Sequence, residues 1–286
     1  AEATLPKVMR WVPFKMDERD LRNRVKNKMI RPTTIPQSVE ELIFEQAIAK
    51  EALRLAQIQH KSFATVLKGV QQQRTIADAF EQSSSGNTIV NMMTLDMLIG
   101  SGGVLSHAPR RQQSALMMID AFGPEGITRL AVDSIFMMPQ LGVLTEVQPK
   151  AATEVFEKDC LIHLGTCIAP VGVPKKGGAV MKYTIELPSG TVSGTLNYLE
   201  MKKFELGVQE NGLPETAKAT FEPDKHFDIG AGKGTPVTKE IHGGVVGIIL
   251  DGRGRPFDLS TLSEDDRVKY LKAWMTELDI YPTDKL

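Results

Sequence analysis

Apolar positions first fall into a helical rhythm after Ser38. Val39, Leu42, Ile43, Ala47, Ala49, Leu53 and Ala56 share one side, whereas Glu40, Glu41, Glu45, Lys50, Glu51, Arg54 and Gln57 fall largely on the other. Ser38 and Glu41 have capping-box spacing, which predicts the helix start and gives this helix a packing role. Upstream, the first 35 residues mix charge and aromatics without a clear period, and Pro32 and Pro36 close the segment. Downstream, residues 67 to 93 read as a loop at Ser83 to Asn87 with a short helix on each side. The polar run Gln71 to Arg74 suits either a solvated turn or helix start, or a loop whose amides and guanidinium face a ligand or a partner protein.

An apolar run then enters the glycine turn Gly100, Ser101, Gly102, Gly103 and leaves into a second helical pattern. That helix carries Ala115, Leu116, Met118, Ile119 and Phe122 and ends near Gly123 and Pro124. Residues 129 to 144 form one compact apolar run that predicts a buried strand broken at Pro139. Asp133 sits inside it and must be hydrogen-bonded, paired or at a strand end, or else contact a ligand or magnesium. A short helix is expected over 149 to 159. From Cys160 to about Phe221 partial alternation at Val180, Tyr183, Ile185 and Leu187, with a turn at Pro188 to Gly190, predicts antiparallel strands. A second glycine cluster follows Asp228, then a strand over Val245 to Leu250, then a helix opened by Ser263 and Asp266 and running to about Asp279. The pattern divides the chain into 1–159, an α/β lobe with the glycine turn; 160–240, a strand-rich region; and 241–286, a closing strand and helix.

Composition narrows the function. The 286 residues are 42% hydrophobic and 24% charged with a formal net charge of -1, enough to bury a globular core but without a basic field for nucleic acid. No apolar run reaches the roughly 18 to 20 residues of a transmembrane helix, and the start lacks the apolar core of a signal peptide. The expectation is a cytoplasmic protein with neither nucleic acid nor membrane as a partner. Position 1 is not Met and the opening reads as interior sequence, so a piece of a longer protein is expected. Cys160 and Cys167 are too few for a disulfide framework and are expected to be reduced, half-buried strand residues.

Catalytic signals are sparse. Ser106 and His107 are neighbours in sequence, which rarely gives nucleophile-to-base geometry, and the five histidines are scattered. No catalytic or metal-ligating residue is assigned. Glycines at 100, 102 and 103 permit positive φ and close backbone approach to an anion, but they equally suit tight packing. The cluster at Gly230, Gly232 and Gly234 lacks phosphate-loop spacing despite Lys233. The residues themselves support an α/β protein, either with a nucleotide cleft or with glycine-packed sheets.

The segments RNRVKNKMIRPTTIPQSVEELIFEQAIAKEALRLA, LKGVQQQRTIADAF, IGSGGVLSHAPRRQQSALMMIDAF, GPEGITRLAVDSIFMMPQLGVL and GGVVGIILDGRGRPF together resemble the glutamate mutase L family, accessory proteins of adenosylcobalamin-dependent mutases and aminomutases. The resemblance implies an incomplete lobe of the actin, Hsp70 and sugar-kinase ATPase fold, with a strand-rich C-terminal region. It further implies ATP or ADP with magnesium, the adenosine lying at Gly100, Ser101, Gly102 and Gly103. Cobalamin enters only indirectly, through a partner mutase that the protein would serve as a chaperone or reactivating factor. Phosphate turns of the D-x-G-[ST]-T kind are missing, and Asp228, Gly230 and Gly232 follow the adenosine turn where they should precede it. ATP hydrolysis is therefore expected only if a second chain supplies the missing N-terminal half. The alternatives are a small-molecule kinase of the same fold, for which Asp133 would be the candidate, and a nucleotide-free protein-interaction module.

Overall fold

One mixed sheet with apolar residues on both faces organises the computed structural model, which describes residues 5–64, 89–173 and 177–285. Its strands are β1 (Met97–Gly100), β2 (Gly126–Asp133), β3 (Leu161–Ala169), β6 (Met201–Phe204) and β9 (Gly247–Asp251), in the order β1-β2-β3-β9-β6. β1 runs parallel to β2 and β3 parallel to β9, while β2 with β3 and β9 with β6 are antiparallel. A second, antiparallel sheet orders β4 (Ala179–Leu187), β5 (Gly190–Asn197), β7 (Thr216–Pro223) and β8 (Val237–His242) as β5-β4-β7-β8. The mixed α/β class expected from the sequence is what the chain adopts.

Period-two alternation divides the cores. From β9, Ile249 faces the helical side, with Leu130, Val132 and Leu164, whereas Ile248 and Leu250 face the second sheet, with Ile168, Val180, Ile185 and Phe221. The helical layer contains α3 (Val39–Phe63), α5 (Arg111–Phe122) and α8 (Glu264–Glu277), joined by α1 (Leu5–Met9) and α2 (Glu18–Ile30). Three predicted caps hold: the Ser38 and Ser263 hydroxyls accept from the Glu41 and Asp266 amides at 3.2 Å each, and Gly123 ends α5 in the left-handed region at φ 56°.

Several expectations require correction. The opening segment contains α1 and α2; α2 escapes a periodicity search because Leu21 alone in it is buried, with the i,i+4 pairs Glu18–Arg22 and Asp20–Arg24 along its exposed side. The run 129–144 is two elements, since β2 stops at Asp133 and α6 spans Met138–Leu144, with Pro139 in its first turn, where a missing N–H costs nothing. Asp133 makes this break. Its carboxylate accepts the amides of Ile135, Met137 and Met138 at 3.4, 3.2 and 3.0 Å, the structural satisfaction foreseen as one of its roles. The helix α7 (Pro149–Val155) continues as a π turn, Phe156–Cys160. Both cysteines are fully buried rather than half-buried, and burial pushes the Cys167 thiol up to about 12. Gln71–Arg74 and Ser83–Asn87 lie outside the described residues.

The largest departure concerns α3. Lys50 and Glu51, assigned by pattern to its polar side, are 3% and 1% exposed. Lys50 pairs with Asp120 of α5 at 2.7 Å; Asp120 also meets Arg253 at 2.7 Å. Arg253 grips Asp251 through two bonds of 2.9 Å, and Arg255 reaches the same carboxylate at 2.7 Å. The Arg253 guanidinium lies 4.2 Å from the Phe257 ring centroid and 4.9 Å from that of Trp274. This buried network ties α3, α5 and the turn after β9 together. Glu51 is satisfied separately by Arg10, Trp11 and Arg54.

Candidate functional site

The four residues of the glycine turn do different things. Gly100 ends β1 facing α5, where an added Cβ would lie 2.8 Å from the Met118 sulfur and 3.0 Å from Leu105, so packing demands glycine there. Gly102 has φ +99°, a backbone conformation that other residues adopt only under strain, and it caps the short helix α4 (Gly103–Ser106). Gly103 needs neither explanation: its φ is ordinary and an added Cβ would meet nothing within 4 Å. The Ser101 hydroxyl is buried and has no hydrogen-bond partner among the described residues.

Gly103 borders a cleft of about 700 Å³. One wall is the corner between α2 and α3, with Lys28, Thr34 and Gln37; another is formed by Val104, His107 and Arg110. Its floor is a buried polar chain. Tyr281 Oη donates to Gln46 Oε1 at 2.5 Å, Gln46 Nε2 donates to Gln113 Oε1 at 3.0 Å, and Gln113 Nε2 donates to the Ile280 carbonyl at 3.0 Å. Burial raises the Tyr281 pKa, so its hydroxyl stays protonated and holds this orientation. At the rim, Lys28 pairs with Glu45 at 2.9 Å and Arg110 with Asp279 at 2.8 Å. Such an arrangement offers ion-paired rims, amide and hydroxyl groups and an open backbone, features of a binding site.

Pattern reading found the turn but missed the other wall, because Lys28, Gln46 and Tyr281 are brought to it by chain folding alone. Ser106 and His107 do not pair: the Ser106 hydroxyl donates instead to the Asp133 carbonyl. The Asp228 carboxylate accepts the amides of Gly230 and Gly232 at 2.7 and 3.0 Å, so the second glycine cluster is folded around its own aspartate. Among the described residues no group of three or more His, Cys, Asp or Glu could hold a metal ion, and no helix is long and apolar enough to cross a membrane.

A second cavity, of about 730 Å³, shares no lining residue with the cleft. It lies on the other face of β1 and β2, under α6 and α7, and contains His163 and His242. Burial first, and the Arg129 charge second, lower both imidazole pKa values below the ordinary 6.5; Lys239 adds to this for His242, while Glu157 and Glu240 oppose it. A lowered imidazole pKa means that the unfolded chain takes up these protons first. The associated stability is whole above 6.5 and is lost as pH falls through the folded values. A His163→Gln/His242→Gln variant should lose less Tm than the native sequence between about pH 7 and about pH 5. Parallel Tm profiles for the two proteins would contradict this coupling.

A family model described as MutL protein matches residues 1–160 of the chain. No curated protein and no solved structure matches it.

Proposed function

The chain belongs to the MutL protein family, the glutamate mutase L family of mutase accessory proteins, and from that premise we propose that it is the adenosine-binding portion of an ATP-dependent reactivating chaperone for an adenosylcobalamin-dependent mutase. The observation that carries this reading is the open face of Gly103 on a cleft of about 700 Å³, placed just beyond the carboxyl end of β1. Open α/β sheets bind their ligands beyond the carboxyl ends of parallel strands, and β1 and β2 are such a pair, joined through α5. The unit is read as one lobe of an actin-like ATPase.

The residues present fit a nucleoside. Gly103 lets a sugar or base approach the backbone, and Lys28 and Arg110 at the rim, though each is held by a carboxylate, keep N–H donors that phosphate oxygens can use. ATP supplies the free energy of phosphoryl transfer when bound. This chain binds and orients the adenosine end, and its movement against a second lobe is how nucleotide would drive exchange of damaged cobalamin from the mutase. The phosphate grip and the magnesium site would come from that second lobe, which makes the isolated chain a nucleotide binder and not an ATPase. Protein contact with the mutase, without direct cobalamin binding, completes the reading; the working compartment is the cytoplasm.

Gly103→Val is the discriminating variant, because its backbone is unstrained and its new side chain fills space that only a ligand would use. Calorimetric titration with magnesium-ADP should give saturable binding to the native chain and at least a tenfold loss in the variant, about 1.4 kcal/mol, with an unchanged Tm. Equal affinity in the two proteins removes the turn from the site. Absence of ADP binding to the native chain removes the nucleotide reading for this portion and favours the interaction-module alternative.

A further inference from the structure

We propose that the second cavity is a binding site for an amphipathic organic anion, a small molecule with an apolar body and one carboxylate or sulfonate group held by Arg129. This proposal is independent of the nucleotide reading, since the two concavities have no lining residue in common.

The argument begins with strand alternation. Met97 of β1 lies directly opposite Arg129 of β2 in the parallel register, and Ile99 lies opposite Ala131. On β3, His163 is the register partner of Ala131. Side chains of Met97, Ile99, Arg129 and His163 therefore share the face of the sheet that turns away from α5, as their common place in the cavity wall requires. Leu141 and Phe156 close the cavity from the α6–α7 side, and Leu213 and His242 from the side of the second sheet. The walls are predominantly apolar, and the volume of about 730 Å³ falls within the range of small-molecule sites.

Arg129 gives the cavity its sign. It is partly buried, and although its backbone amide donates to the Asp96 carbonyl at 3.0 Å, its guanidinium makes no hydrogen bond or ion pair with any described residue. The partly buried Arg10 and the buried Arg253 and Arg255, by contrast, are each matched to carboxylates. The one carboxylate among the lining residues, Glu157, is exposed and forms no ion pair with it. A guanidinium set in an apolar wall without a partner favours an anion there, because the low local dielectric strengthens the attraction and five N–H donors remain unused. The two imidazoles stay neutral beside it, so each can donate one hydrogen bond and accept another without adding charge. A single positive charge, two neutral polar groups and extended apolar walls match a monoanion with an apolar body better than a polyphosphate or a sugar.

Two fluorescent probes with the same ring system separate charge recognition from simple apolar uptake: 1-anilinonaphthalene-8-sulfonate, and N-phenyl-1-naphthylamine, which lacks the sulfonate. The native protein should bind the sulfonate probe at one saturable site. Arg129→Met should weaken that binding at least tenfold while changing the affinity of the neutral probe by less than about threefold, and Arg129→Lys should restore most of it. Because Arg129 has no partner to lose, the Met variant should keep its Tm, which guards against misreading an unfolded protein. Sulfonate binding unaffected by Arg129→Met overturns the proposal, as does equal loss of both probes or the absence of saturable binding to the native protein.

Discussion

Asp251→Ala should lower the stability of the fold by about 3 to 5 kcal/mol, seen as a large fall in the urea midpoint. Asp251 is fully buried, and it is the shared acceptor of Arg253 and Arg255. Its removal would leave Arg255 without a charged partner and Arg253 with Asp120 alone, while Lys50 already draws on Asp120. Burial by itself would raise the pKa of Asp251, but the two guanidiniums overcome it and hold the carboxyl well below the usual carboxylate range. The network therefore keeps its charge throughout the neutral range, and its contribution fades only as strong acid protonates Asp251. Asp265→Ala is the control. Its ion pair with Lys15 at 2.8 Å is exposed on both sides, so that variant should leave the midpoint unchanged. An Asp251→Ala protein that unfolds at the native urea concentration would show that the network carries no such load.

Gly165→Ala should be at least as damaging, costing about 4 kcal/mol or preventing folding altogether. Gly165 is in β3 at φ +138°, and an added Cβ would stand 1.8 Å from the carbonyl oxygen of Gly247 in β9. No neighbouring side chain can move aside to relieve that clash, because the obstacle is backbone. Gly247 is itself at φ +97°, and its own Cβ would meet the Phe204 carbonyl of β6 at 2.3 Å. Glycines in β3 and β9 thus let three strands of the mixed sheet approach closely, and the second sheet packs against the same region through Ile168, Ile248 and Leu250. Loss of soluble protein, or a collapse of Tm, is the expected readout; a Gly165→Ala protein melting within a few degrees of native would refute the β3–β9 register.

These two sites also mark the boundary of what could be read in advance. Gly165 attracts no attention as a sequence position, whereas Gly100, Gly102 and Gly103 do, and only folding separates the three. One packs against Met118, one supplies a positive φ, and one is left facing open space. The candidate site was half legible for the same reason: the glycine turn is a local signal, but the facing wall at Lys28 and the floor at Gln46, Gln113 and Tyr281 assemble from segments far apart in the chain.

The sequence by itself determined the features whose causes lie within about one helical turn. Ser38 and Ser263 cap α3 and α8 because a side-chain oxygen reaches an amide three residues on, and Gly123 ends α5 because the left-handed region suits glycine. The α/β class and the family follow from such local signals together with the long phrases around the glycine turn. Tertiary structure alone decided which polar residues go inside. Lys50 and Glu51 read as a solvated face until Asp120, 70 positions away from Lys50, and Arg10 and Trp11, about 40 from Glu51, arrive to satisfy them. It also decided that β3 runs beside β9, a pairing of Gly165 with Gly247 that no local pattern encodes. It left Arg129 unpaired in an apolar wall. Hydrogen bonds and charges are satisfied by whatever lies near in space, and nearness in space between distant segments is fixed only when the whole core closes.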